Sequence, residues 1–221
     1  MLNSVKLLSS GERLGMGVKE RRARQKRFLR QEILDAASQL FVRDGFENVS
    51  MRRIADRIEY SPTTIYLYFK DKAELLEQVC AETFAGLLQR LHRINELHHE
   101  PMERLRRGLL AYIEFGAENP HHYRATFMMP FPAEAHREHQ ERPDSPGMQA
   151  FDFLRRAVHE GVTSGKLKIK DVELASQTLW AGVHGVTSLA ITNEKFRQTG
   201  REKVAKAMVD TLLKGLSEER V

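Results

Sequence analysis

Two helix starts set close together constrain this chain more than any other feature. Between Ser50 and Lys72 it reads SMRRIADRIEYSPTTIYLYFKDK. Ser50 is placed to cap a first helix by accepting a backbone N–H. Met51, Ile54, Ala55 and Ile58 follow at helical spacing and form one apolar stripe, with Arg52, Arg53, Asp56 and Arg57 off it. Glu59-Tyr60 interrupts. Ser61-Pro62 then opens a second helix, Ser as its cap and Pro at the first position, where a missing N–H costs nothing. Ile65 and Phe69 face inward, and Tyr66 reads either as core beside them or as part of the polar face. Thr63, Thr64 and Tyr68 face out, with Lys70 and Lys72 beyond. Hydroxyls of this kind bond phosphates or base edges, and a Thr methyl can meet a thymine methyl. The pair reads as a helix-turn-helix that presents one helix to a DNA groove. In isolation it reads as easily as a plain helical hairpin.

The flanks favour the groove reading. Gln31 to Arg43 carries Ile33, Leu34, Ala37, Leu40 and Phe41 on one face and stops at Asp44-Gly45. Phe46 restarts the chain as a core plug. Asp71-Lys72-Ala73-Glu74 is a capping-box-like start for a long fourth helix. The stretch ILDAASQLFVRDGFENVSMRRIADRIEYSPTTIYLYFKDKAELL resembles the N-terminal domain of the tetracycline-repressor (TetR) family of transcriptional regulators. The resemblance covers about residues 31–76. It is carried by Ala-x-x-Leu-Phe then Gly-Phe, by Ile54-Ala55, and by Tyr-x-Tyr-Phe-x-x-Lys before Leu75. It implies that Thr63 and Thr64 approach bases, with Tyr66 on the same recognition helix. It also implies that Tyr68 and Lys72 grip phosphates, and that Ser50 and Arg52 abut the backbone at the start of the preceding helix. The turn departs from the family's usual Ala-Gly-Val: here it is Ile58-Glu59-Tyr60. Glycine supplies a left-handed backbone there, so Glu59 is expected to carry about 1 kcal/mol of strain.

Charge separates the chain into two parts. Residues 1–72 hold 15 Lys and Arg against 9 Asp and Glu, and residues 73–221 hold 20 against 21. The net charge of +5 therefore lies wholly in the DNA-reading part, as attraction to phosphate requires. Most of it precedes the matched stretch, in Lys19, Arg21, Arg22, Arg24, Lys26, Arg27 and Arg30. Residues 1–25 read as a disordered basic arm for phosphates or the minor groove; the alternatives are a solvated helix extension, or an upstream tail that a start at Met16 would omit. Neutralising Arg21, Arg22 and Arg24 is expected to flatten the salt dependence of DNA affinity. Residues 26–72 read as the DNA-binding domain. Met1–Leu8 is too short and weakly apolar for a signal peptide. One Cys excludes an internal disulfide and fits a reducing cytoplasm, the expected location. Cys80, on a helix face with Leu76, Val79 and Phe84, reads as a buried structural thiol.

Residues 73–221 read as a larger helical ligand-sensing and dimerisation domain, giving an all-α chain of about nine helices. Helices are expected from about Lys72 to Leu97, Pro101 to Glu118, Asn119 to Met128, Ser145 to Gly165, Asp171 to Thr192 and Arg201 to Leu216, with a polar loop over residues 133–147. From Leu174 to Asn193 there is no Asp, Glu, Lys or Arg. Gln177, His184 and several Ser, Thr and Gly make that helix too polar for an easy membrane span, so it must be buried on most sides in another way. One side is expected to cover its own domain and another to meet a second copy. Ala181, Gly182, Gly185 and Ser188 would allow close approach. With Val204, Met208, Leu212 and Leu216 on the last helix, helices 171–192 and 201–216 read as the seam of a homodimer. Trp180-Ala-Gly-Val-His184-Gly185 resembles the Trp…His-Gly signature of one subgroup of C-terminal domains in the same family.

The resemblance implies an inducer, and the aromatic and Met supply of this half suits an apolar pocket between helices. Phe115, Phe127, Trp180 and His184 are the candidate ligand-binding residues, and an apolar or amphipathic small molecule is the expected effector. The whole then reads as a homodimeric repressor on a double-stranded, pseudo-palindromic operator, released when ligand favours a form whose two recognition helices miss the groove spacing. A ligand-independent regulator and a non-specific architectural DNA binder are the alternatives. No catalytic residues, metal or cofactor are expected. The paired His98-His99, His121-His122 and His136-x-x-His139 lack convincing ligand spacing, and no phosphate loop, Gly-x-Ser-x-Gly or dinucleotide fingerprint occurs.

Overall fold

Side chains that the sequence offers as caps open most of the helices. In the computed structural model, which describes residues 17–130 and 145–218, the elements are ten helices and no strands among the described residues. They are α1 (Val18–Asp44), α2 (Met51–Arg57), α3 (Pro62–Tyr66), α4 (Lys72–Leu97), α5 (Pro101–Glu118), α6 (Pro120–Phe127), α7 (Pro146–Thr163), α8 (Val172–Thr192), α9 (Glu194–Gln198) and α10 (Arg201–Ser217). Ser50, Ser61, Asp71, Ser145 and Asp171 each accept a backbone N–H from three residues on. Pro occupies the first turn of α3, α5, α6 and α7.

Two expectations about boundaries change. The basic stretch before residue 26 is not disordered throughout. From Val18 it is the first half of α1, which runs unbroken into the reader. Glu20 holds its start by accepting the Gly17 N–H at 3.1 Å, and no Pro or Gly interrupts residues 18–44. Residues 1–16, and most of the polar loop with His136 and His139, lie outside the described residues. The tenth helix is the short α9, which Asn193 caps through Phe196 N–H.

Two hydrophobic cores organise the molecule. The first joins Ile33, Leu34, Phe41, Ile54, Ile65 and Phe69 to Leu75, Leu76 and Val79 of α4 and Ala125 of α6. The reader's core therefore does not stop at residue 72; it borrows one end of α4 and one residue of α6. The second core is built by α4, α5, α6, α7, α8 and α10. Gly116 lets α5, α6 and α8 converge: a Cβ there would lie 2.4 Å from Thr187 Cγ2 and 2.7 Å from Tyr123 Cδ2. None of the described helices is long and apolar enough to cross a membrane.

Candidate nucleic-acid interface and ligand cavity

The turn between α2 and α3 takes the conformation that its usual glycine would give. Glu59 has φ 60, the one positive φ outside glycine among the described residues. Tyr60 N–H donates to Ala55 O at 3.0 Å and Glu59 N–H to Asp56 O at 3.4 Å, the hydrogen-bond pair of a left-handed helix stop. The expected strain at Glu59 thus has its geometric basis, and the turn keeps its shape without Gly.

That turn and the Ser61 cap orient α3. Ile65 and Phe69 are buried, while Thr63 and Tyr66 are exposed, Tyr66 at 55%. Tyr66 is therefore on the outer face, not in the core. Thr64 is half-buried and its Oγ1 lies 2.9 Å from Ser61 Oγ, so its hydroxyl is already engaged at the cap. Tyr68 is half-buried, with Lys26 Nζ 5.9 Å from its ring centroid. Ser50 and Arg52 are exposed at the start of α2. Lys72 departs most from expectation. Its Nζ donates to Phe46 O at 2.8 Å and sits 4.2 Å from the Phe46 ring centroid. It braces the loop after α1 against α4, because the helix start points its side chain inward. Tyr60 and Leu67, which flank α3, are also exposed, at 43% and 76%; helical periodicity does not extend to residues outside so short a helix.

The C-terminal half holds a cavity of about 640 Å³ walled by α4, α5, α7 and α8, with α6 at one side. Phe127, Trp180 and His184 line it. Phe115 does not: it is buried against Gly86, with the Arg90 guanidinium 5.3 Å from its ring centroid, on another face of α5. Tyr112, one helical turn earlier, takes the lining position. Burial pushes the Tyr112 hydroxyl up to about 12 and keeps it protonated. Burial lowers His184 below its ordinary value and favours the neutral ring. Cys80 also lines the cavity, and burial pushes its thiol up to about 12, so it remains an unreactive thiol. Among the described residues no group of three His, Cys, Asp or Glu could hold a metal ion.

Cavity and reader are joined by two helices. α4 runs from Lys72 beside the recognition helix to the cavity wall, and α6 packs on both α1 and α4. Arg30 of α1 adds a clamp: it donates to Gln78 Oε1 at 2.7 Å, pairs with Glu82 and lies 5.4 Å from the Phe69 ring centroid.

A capped helix-turn-helix followed by a larger helical domain, with helices alone among the described residues, is the architecture of a class of DNA-binding regulators. The comparisons agree. The model of bacterial regulatory proteins of the tetR family matches residues 33–79, and that of the tetracyclin repressor-like C-terminal domain matches residues 105–212. The chain belongs to the TetR family of transcriptional regulators. It is 31% identical over 90 residues to the HTH-type transcriptional regulator SAB2452 of Staphylococcus aureus, covering 41% of this chain and 49% of that one. It is 30% identical over 110 residues to the nicotine-responsive transcriptional repressor HdnoR of Paenarthrobacter nicotinovorans, covering 42% and 57%. The chain thus spans about half the length of the curated relatives it matches. Its fold is that of the TetR family regulator PfmR from Thermus thermophilus, at a TM-score of 0.67 and 22% identity over 94% of this chain and 100% of that one. FadR of Bacillus subtilis, solved with stearoyl-CoA, shares the fold at a TM-score of 0.66 and 19% identity over 86% and 99%.

Proposed function

We propose that this protein is a homodimeric repressor that binds a pseudo-palindromic operator and releases it when a small apolar or amphipathic molecule enters the sensor cavity. The observation that carries this reading is the shared wall: α4 and α6 bound the cavity and also supply Leu75, Leu76, Val79 and Ala125 to the reader's core. Ligand that resets either helix moves the reader with it, and a tenfold preference for one form is worth about 1.4 kcal/mol per site. The descriptions of HdnoR as nicotine-responsive and of FadR with stearoyl-CoA support an effector in general terms. We also keep the Trp180…His184-Gly185 subgroup as part of this reading.

On the DNA side, Thr63, Tyr66 and Tyr68 are assigned to the groove, with Ser50 and Arg52 at its edge. Thr64 and Lys72 contribute by holding the cap and the preceding loop. The helical start of α1 adds a phosphate contact: Lys19, Arg22 and Lys26 share a face at helical spacing, and Lys26 reaches Tyr68. Exchanging those three for Gln should reduce the slope of log affinity against log salt by about 2–3. An unchanged slope removes the arm from the interface.

Dimerisation is supported by the outer side of α8. Leu174, Thr178, Ala181 and Leu189 are exposed there at helical spacing, Gly185 lies on the same stripe, and none is charged. Ala207, Thr211 and Gly215 continue the surface on α10. Gly182 is taken out of this stripe, because Leu212 and Met208 of the same chain cover it. A Cβ at Gly185 meets nothing within 4 Å, so Gly185→Arg should leave the protomer folded and give a monomer by sedimentation equilibrium. The full reading is tested by selecting DNA fragments on purified protein. Recovery of a palindrome with half-sites about 34–36 Å apart supports it, and binding that random DNA abolishes at moderate excess rejects it.

A further inference from the structure

From Tyr60 to Phe69, across α3 and both its flanks, the chain reads YSPTTIYLYF and holds no Asn, Gln, Arg, Lys, Asp or Glu. Those are the side chains that identify a base by its hydrogen-bonding edge. Arg or Lys takes guanine, Asn or Gln takes adenine, and a carboxylate accepts from cytosine. A hydroxyl both donates and accepts, so Ser, Thr and Tyr bond to several bases alike. The major-groove feature left for such a helix to distinguish is the 5-methyl of thymine, which an apolar surface recognises.

The structure builds that surface on the outer side of α3. Leu67 keeps a helical backbone, φ −71 and ψ −16. Tyr68 N–H and Phe69 N–H both donate to Ile65 O, at 2.9 and 3.1 Å, so the helical turn runs on past Tyr66. Ile65 and Phe69 are buried in the reader's core. Thr63, Tyr66 and Leu67, spaced by three and four residues, therefore share the opposite face. Leu67 is 76% exposed, the most of any large hydrophobic among the described residues. It adjoins the exposed Tyr66, so the apolar surface is a patch and not one stray side chain.

Charge says what meets this face. Residues 1–72 hold 15 Lys and Arg against 9 Asp and Glu, which suits a polyanion and not a second apolar protein surface. The neighbouring arginines of α2 are partly committed. Arg53 pairs with Asp44 at 3.1 Å and bonds Asn48 O at 3.3 Å, and Arg57 lines a cleft with Phe28 and Gln31 of α1.

We propose that the protein reads its operator through thymine methyl groups in the major groove, with Thr63, Tyr66 and Leu67 as the residues that set specificity. Leu67 and the Thr63 methyl supply the apolar contact, and the Tyr66 ring borders it. Arg52 and Lys70, to either side, take phosphates, which position the helix and carry no sequence information. This rests on the DNA-binding reading above and names the base chemistry it uses.

Deoxyuridine provides the test, because it lacks only the 5-methyl of thymidine and leaves the pairing and the minor-groove edge unchanged. Random-sequence duplex DNA is selected on purified full-length protein at physiological salt. The most strongly retained duplex is then remade with deoxyuridine at each thymidine in turn and at all of them together, and affinity is read by fluorescence anisotropy. One or more single exchanges should weaken binding about fourfold each, the worth of one buried methyl. In Leu67→Ala, and in Thr63→Ser, which removes only a methyl, at least one of those losses should disappear; both sites are exposed, and circular dichroism checks the fold. Affinity unchanged by deoxyuridine at every thymidine overturns the proposal and leaves DNA binding standing. Losses of the same size in both variants as in the unaltered protein overturn it too. If selection retains no duplex above random DNA, the sequence-reading role falls with it.

Discussion

The two hydrophobic cores of this protein are packed to different ends. In the reader, Ile33, Leu34, Phe41, Ile54, Ile65 and Phe69 are at most 2% exposed and fix the first three helices around one another. In the sensor, Phe84, Phe127, Phe151, Phe153 and Trp180 surround space. The first arrangement spends its apolar side chains on holding a shape, because an operator tolerates little error in the position of a recognition helix. The second leaves contacts unmade that a ligand can complete. α4 and α6 contribute to both, so the proposed release would run through those two helices.

The sharpest way to break this contrast is a pair of truncations. Phe41→Ala should cost about 3–5 kcal/mol in denaturant unfolding, since the gap is closed on all sides. Phe151→Ala, at the cavity wall and only half-buried, should cost less than about 2 kcal/mol. Similar losses at both sites would mean the cavity wall is as tightly braced as the reader. Next in size is Gly116→Ala, where α5, α6 and α8 meet. The added methyl overlaps Thr187 and Tyr123 and should cost about 1–3 kcal/mol. A smaller effect on the denaturation midpoint would show that the sensor half yields even where it is crowded.

Glu59→Gly acts in the opposite direction. Relief of the left-handed backbone should outweigh the entropy glycine adds to the unfolded chain and stabilise by about 0.5–1 kcal/mol. A loss of stability would show that Glu59 makes contacts worth more than its strain.

The gentlest probe is pH. Burial lowers both His122 and His184 below 6.5. His122 lies at the α1–α6 contact and faces Asp35, Glu82 and His121, with Nε2 3.4 Å from Asp35 Oδ1. Asp35 and Glu82 oppose the shift and desolvation exceeds them. The unfolded chain therefore binds more protons than the folded one once pH falls below about 6.5, and stability declines from there downward. Melting temperature should fall between pH 7 and pH 5.5, and His122→Gln should make that fall shallower. An unchanged profile in the variant assigns the dependence to His184 and the cavity instead.

What the sequence determined by itself was local. Caps at Ser50, Ser61, Asp71, Ser145 and Asp171, prolines in first turns and the stop at Gly45 act within a few residues, so their helices begin and end close to where the residues put them. The left-handed Glu59 was legible for the same reason, since a turn of that length leaves one place for it. The start of α1 was misread because a dense run of like charge says nothing of whether the backbone beneath it is helical.

Only the tertiary structure decided which of several equivalent faces met what. Tyr66 turned outward and Lys72 inward because of how α3 and α4 seat on the reader's core. Phe115 and Tyr112 sit one turn apart on α5, yet one packs on α4 and the other lines the cavity. A hydrogen-bonded chain from Trp180 through Tyr112 and Tyr123 to His184 joins residues up to 72 positions apart, from three helices. No spacing in one sequence encodes such a juxtaposition: a helix's periodicity fixes which residues share a face, and packing against its neighbours fixes where that face points.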